Sequence, residues 1–308
     1  MLQTLLHSLS AVAVVLILTA CGYLCSALGW ITPDAKMFLS RYLMRFAVPV
    51  MCVYSLRSNL TLELLCNSLV LLLIPTITSF FLNLSSGLLG KRMGLAPHQN
   101  SVFSIMCSVS NAMFIGYSMC MELFGENCIP LLPDQHGFRA DGRCVRYPSC
   151  RLWGNHSARE EIVGFFKTPS VIGVLIGVLL IVVDWTPPAA LMTCGRYINN
   201  TVTPLALLSA GNVIHGLKLK ELRLNRVLSW VIAFRFLIAP GICLFLCTVF
   251  GVTGLARSVL VVQTAMPVLT QSVVAATEYG GDEELAAQGV AISTLLCFIV
   301  IPVLMLLL

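Results

Sequence analysis

Two short stretches gather hydrogen-bonding side chains inside otherwise apolar surroundings. One runs from Ser108 through Ser110, Asn111 and Gly116 to Ser118, and the other from Gln263 through Thr264, Pro267, Thr270 and Gln271 to Ser272. Amide side chains both donate and accept, so Asn111 and Gln271 can hold a carboxylate or a water without burying a charge. Pro267 lacks a backbone donor and is expected to break any helix that carries it. The plainer reading is helix–helix adhesion, since small and polar residues commonly pack membrane helices. A third polar stretch, Leu131 to Glu161, holds five arginines, four acids, two cysteines and two histidines. Cys128, His136, Cys144, Cys150 and His156 could in principle coordinate zinc. Their irregular spacing, with no close cysteine pair, argues against a metal centre.

The elements that position these residues must be membrane helices. The chain has 308 residues, 57% of them hydrophobic and 11% charged, with a mean hydropathy of +0.89. A soluble domain carries about one quarter charged residues. The net charge of +5 fits basic cytoplasmic loops better than nucleic-acid binding. The thirteen cysteines fall mostly within apolar runs and read as small core residues. No Lys or Arg precedes Lys36, so the N-terminal apolar run reads as a first span instead of a cleaved signal. A span needs about 20 apolar residues. Clear candidates are 8–30, 64–90, 100–123, 168–185, 227–250, 258–279 and 285–308. Two weaker ones carry arginine: 38–57, with Arg41 and Arg45, and 189–215, with Arg196.

Similar patterns recur at a fixed offset. Glu122, Gly125 and Glu126 correspond to Glu278, Gly281 and Asp282 at 156 residues, and Pro49 corresponds to Pro204 at 155. The two polar stretches fall at equivalent places. The chain therefore reads as residues 1–126, a first repeat of four spans; 127–166, a polar segment where a fifth span is due; and 167–308, a second repeat of five spans. Asp134, Arg139, Asp141, Arg143, Arg146 and Arg151 would make insertion of that segment cost on the order of 10 kcal/mol or more. Loop charge also asks for a span there. With the N-terminus outside, Lys36, Lys91 and Arg92 lie inside, as the positive-inside rule requires. Lys218, Lys220, Arg223 and Arg226 join them only if the chain crosses once between 126 and 168; a nine-span chain puts them outside. A reading-frame displacement across this stretch, restored before Glu161, is one account of the missing helix. A regulatory loop is another. Five spans per half gives an all-α polytopic membrane protein of two inverted five-helix repeats, the plan of many secondary transporters, whose sites lie at broken helices near the midplane.

Ser110-Asn111, then Phe114-Ile115-Gly116, followed by Leu123-Phe124-Gly125-Glu126, resembles the fourth span of the auxin efflux carrier family, which includes bacterial malate and malonate permeases. Ala265-Met266-Pro267 with Thr270-Gln271, then Tyr279-Gly280-Gly281-Asp282-Glu283-Glu284 and Ser293-Thr294-Leu295, is similar to its ninth and tenth spans. Thr203-Pro204-Leu205-Ala206-Leu207 with Gly211 resembles the seventh, and Pro49 the second. The resemblance implies that the fourth and ninth helices are interrupted and cross beside an organic-anion site. Asn111, Pro267, Thr270 and Gln271 would line or shape that crossing, joined by Ser110, Gly116 and Ser118. Ser118 stands where the family usually has proline. A serine can bend a helix by bonding a backbone carbonyl, so the first interruption rests on weaker footing than the second.

Arg235 sits well inside an apolar run, and an intramembrane charge is a functional hint. Arg45 is expected to snorkel from a helix end, and His215 to sit solvated at another. Asn59-Leu60-Thr61 and Asn83-Leu84-Ser85 match glycosylation triplets, but Asn83 falls within a span. The expected function is a permease of the cell membrane that moves a small organic anion, a dicarboxylate or an auxin-like carboxylate, by alternating access. A proton or sodium ion could couple the flux, and the assembly could be a homodimer. Neither a cofactor nor a nucleic-acid partner is expected. There is no Gly-rich phosphate loop for direct ATP coupling, and no acid–base constellation within the spans for an intramembrane enzyme. A non-transporting membrane receptor, or a frame-shifted permease without activity, are the other readings.

Overall fold

Every predicted span is found, where described, as a helix or as two successive helices. The computed structural model describes residues 2–59, 62–125, 128, 131, 169–216, 225–278 and 280–308. The segment assigned to 127–166, with its candidate zinc ligands other than Cys128, lies outside the described residues, as does most of the basic loop after Gly216. The first helix, α1 (Leu2–Ala27), is uncharged throughout. Next come α2 (Pro33–Tyr42) and α3 (Val48–Asn59), joined by a π turn at Leu43–Ala47. α4 (Leu62–Arg92) is the longest. α5 (Pro97–Ser108) is interrupted before a π turn at Ala112–Gly116 and α6 (Tyr117–Phe124). Later come α7 (Pro169–Val182), α8 (Ala189–Gly216), α9 (Arg226–Ala233), a π turn at Phe234–Ile238, and α10 (Ala239–Val249). α11 (Gly254–Thr264), α12 (Gln271–Glu278) and α13 (Glu283–Leu307) complete the chain.

Local chemistry accounts for the helix starts. Thr32 caps α2 by accepting from Ala35 N, with Pro33 in the first turn. Asn225 Oδ1 accepts from Leu228 N at 2.8 Å to start α9. Asp282 Oδ1 does the same for Leu285 N at 2.9 Å, and Glu283 and Glu284 complement the positive N-terminus of α13. The π turns stand near prolines, although Pro75, Pro204 and Pro302 lie within α4, α8 and α13 without one. Two of them end two residues before Pro49 and Pro240. A proline ring clashes with the carbonyl four residues back, and a widened turn relieves that clash. The third ends two residues before Ser118. The weaker footing expected for the first interruption is therefore corrected: the turn forms with serine in that place.

Five helical runs are long and apolar enough to cross a membrane among the described residues: Leu9–Ala27, Pro33–Ser58, Leu73–Arg92, Arg226–Val249 and Glu283–Leu307. Leu16, Ile17, Phe80, Phe81, Leu179, Phe245 and Ile299 are exposed. In water such faces would be a liability, but in lipid they are the expected outer surface. His215 is exposed in the last turn of α8, as expected, whereas Arg45, also exposed, lies in the π turn midway along the Pro33–Ser58 run and not at a helix end. Asn83 is fully buried and donates to Ser108 Oγ, so its triplet is no acceptor for a glycan.

Two helix pairs make the closest approaches. α1 crosses α8 where Gly22 meets the backbone of Leu208 and Gly211 meets Thr19 O. α3 crosses α7 where a Cβ on Gly173 would stand 2.6 Å from Pro49 O. The other helices form a second group in which α5 lies against α4 and α13, and α10 against α4 and α11.

Helix ends mark two faces. At one, Gln99 Nε2 donates to Asp282 Oδ2 at 3.0 Å, and Leu95, Asn225 and Gln288 share a small cavity with them. At the other, Arg57 donates to Trp185 O at 3.0 Å and bonds Thr186 Oγ1. The loop after Arg92 and the start of α9 thus lie on one face.

The crossing of the interrupted helices

α5 stops at Ser108, and Val109 is extended, with φ −111° and ψ 124°. Ser110 forms an isolated antiparallel bridge with Val268. Asn111 N donates to Pro267 O at 2.8 Å, and helical structure resumes at Ala112. On the other strand of the crossing, α11 stops at Thr264 and helix resumes at Gln271. Pro267 has no donor to give, as the sequence required, but its carbonyl is what receives Asn111. Val268 N is satisfied from a third helix, by Ser293 Oγ of α13 at 3.0 Å. Ser293→Ala would leave that buried N–H unmet, and a loss of about 1–3 kcal/mol is expected, read as a lower Tm in detergent.

The side chains follow the backbone. Asn111 Nδ2 donates to Thr270 Oγ1 at 3.0 Å, so residues from the two predicted stretches meet directly. Asn111 is 1% exposed and Ser110 4%. Asn111 Oδ1, Ser110 Oγ and Gln263 Oε1 are buried without a hydrogen-bond partner among the described residues. Buried polar atoms are nearly always satisfied, so a crossing with several open ones is shaped for water or a polar ligand. Gly116 makes room for one of these groups, since a Cβ there would lie 2.5 Å from Gln263 Oε1. Thr270 and Gln271 are partly exposed and form the accessible edge. Ser118 is fully buried in the first turn of α6. Ser110, Asn111, Pro267 and Thr270 are thus brought together; Gly116 abuts the crossing through Gln263, and Gln271 begins the helix that leaves it.

A family model described as "Membrane transport protein" matches residues 7–153 and 156–305. The chain belongs to this auxin efflux carrier-like membrane transport family. The family match covers the polar stretch except for Gly154 and Asn155, further than the recognised motifs reach. The chain is 24% identical over 302 residues to "Uncharacterized transporter MJ1031" of Methanocaldococcus jannaschii, covering 95% of this chain and 96% of that one. It is 26% identical over 305 residues to an uncharacterized transporter of Methanothermobacter thermautotrophicus, covering 96% of each. Family membership and the apolar helices make this a multi-pass membrane protein.

Three further polar residues bear on the interrupted helices. Gln263 was seen only as part of its stretch. Ser293 was seen only as part of a motif. Asn199 was not noticed, although its Oδ1 accepts from Tyr117 OH at 3.2 Å and ties α8 to the start of α6. Two asparagines in a row, Asn199 and Asn200, in the middle of a span were the available signal.

Proposed function

We propose that this protein is a secondary active transporter of a small organic anion, with the substrate held at the crossing and exposed alternately to the two faces. The observation that carries this reading is the meeting of two interrupted helices at Asn111 and Thr270, deep in the bundle, with open polar atoms beside it. Ser110 and Thr270 hydroxyls can donate to a carboxylate. The helices restarting at Ala112 and Gln271 direct positive N-termini at the same place. The close-packed pairs α1–α8 and α3–α7 form a group against which the crossing helices can move as a body.

The reading includes two inverted five-helix repeats with the N-terminus outside. Its support is the fixed sequence offset and the recurrence of an interrupted helix in each half. α6 packs beside α11, which starts from the face opposite Gln99, whereas α7 ends on that opposite face beside Arg57. The chain thus leaves α6 and enters α7 from different sides, as a fifth crossing would require.

The test is uptake of labelled malate and malonate into proteoliposomes, with and without an imposed proton or sodium gradient. Uptake that saturates and accumulates against a gradient supports a coupled permease. Ligand binding without flux would favour a receptor and overturn the transport reading.

A further inference from the structure

The deepest charge among the described residues is Arg235, in the π turn between α9 and α10, only 1% exposed. Its donors go to main-chain carbonyls on both interrupted helices. Nη2 donates to Thr264 O and to Met266 O, each at 2.7 Å, and Nε donates to Met266 O at 3.0 Å. Nη1 reaches Cys107 O at 3.4 Å. Thr264 is the last residue of α11, Met266 lies just beyond it, and Cys107 is in the last turn of α5. One guanidinium therefore caps the C-terminal ends of both half-helices.

From these contacts we infer that Arg235 sets the charge selectivity of the crossing. An interrupted helix brings a C-terminus and an N-terminus to the same depth, and two such helices bring two of each. Each end carries about half an elementary charge, negative at the C-terminus and positive at the N-terminus. Left alone, the four ends cancel and the crossing has no preference for either sign. The two C-terminal ends sum to about one negative charge, which is what one guanidinium offsets. With those ends capped, the N-termini at Ala112 and Gln271 dominate the field at Asn111 and Thr270, and an anion is favoured. Arg235 touches no substrate in this arrangement; it is a specificity-determining residue that acts through the helix ends.

This inference rests on the organic-anion reading, and the experiment separates the two. Malonate uptake and its inhibition by uncharged malonamide are measured for the wild-type chain, Arg235→Gln and Arg235→Lys in proteoliposomes. Arg235→Gln is expected to raise the KM for malonate about tenfold, the size of effect that partly buried helix-end charges produce, while inhibition by malonamide moves by less than about twofold. Arg235→Lys keeps the charge and is expected to hold the malonate KM within about threefold. A residue that only braces the fold would shift both compounds together, and that result overturns the inference. Should Arg235→Gln not fold, Cys107→Asp offsets the guanidinium where it stands, with Cys107→Asn as its control. Folded Cys107→Asp with unchanged preference for malonate over malonamide also overturns it. A wild-type chain that moves malonate no better than protein-free vesicles removes the anion reading, and this inference with it.

Discussion

Asn111→Ala is expected to lower substrate uptake by more than tenfold while the protein still folds. The side chain links the two polar stretches by donating to Thr270 Oγ1, and it brings an open acceptor to the crossing. Truncation removes both. The main-chain bond from Asn111 N to Pro267 O and the Ser110–Val268 bridge do not depend on the side chain, so the crossing itself should persist. The expected stability loss is about 1 kcal/mol, the usual value for one hydrogen bond. Initial uptake rates and Tm, measured on the same preparation, test both halves of this statement. Combining it with Gln271→Ala should leave no measurable flux. A folded double variant that transports at the wild-type rate would remove Asn111 and Gln271 from the site.

The second large effect falls on stability. Gly211→Val should prevent the native packing of α1 on α8. A Cβ at Gly211 would overlap Thr19 O and lie 2.5 Å from Tyr23 N. Both are backbone atoms, so no rotamer change relieves the contact and the helices must separate. Separation would also break the bond from Asn212 Nδ2 to Ser26 Oγ, 2.9 Å long. Overpacking of a close interface costs about 1–3 kcal/mol or more, and here the lost contacts add to it. Aggregation on size exclusion, or a Tm lowered by several degrees, is the expected result. A Gly211→Val protein with wild-type Tm would mean that α1 and α8 do not approach as closely as described.

The apolar helices were legible because their signal is local. A run of apolar residues needs no knowledge of its neighbours, and all nine expected runs are helical where described, five of them long and apolar enough to cross a membrane. The second interruption was legible for the same reason, since Pro267 acts on its own helix. The first was legible only through the resemblance, because Val109 to Asn111 contain no helix breaker. Its cause is tertiary: Asn111 N finds Pro267 O on another segment, and that bond replaces one the helix would have made. The π turns were within reach, as Pro49 and Pro240 each follow one at the same distance, but nothing in the residues within Ala112–Gly116 announces the third. Arg235 could be flagged as a charge inside an apolar helix. Its partners lie at Cys107, Thr264 and Met266, and no reading along the chain brings those three carbonyls together. Gly211 stood out within its motif while Gly22 did not, since a glycine that permits close approach looks like any other until the partner helix is in place.

Arg235 also has a consequence for how the protein is made. Two of the carbonyls it bonds, Thr264 O at the end of α11 and Met266 O just beyond it, are synthesised after α9 and α10. An arginine near the centre of a membrane helix costs about 2.5–3.5 kcal/mol on insertion, and at that stage only Cys107 O has already emerged. The surrounding run, Arg226–Val249, has a mean hydropathy of 2.2, enough apolar surplus to carry the charge into the bilayer ahead of its partners. The nascent chain therefore passes through a stage in which Arg235 lacks the bonds to Thr264 O and Met266 O. Completing that bonding set belongs to the arrival of α11 and the residues just beyond it, which ties the end of α5 to one of the last helices made.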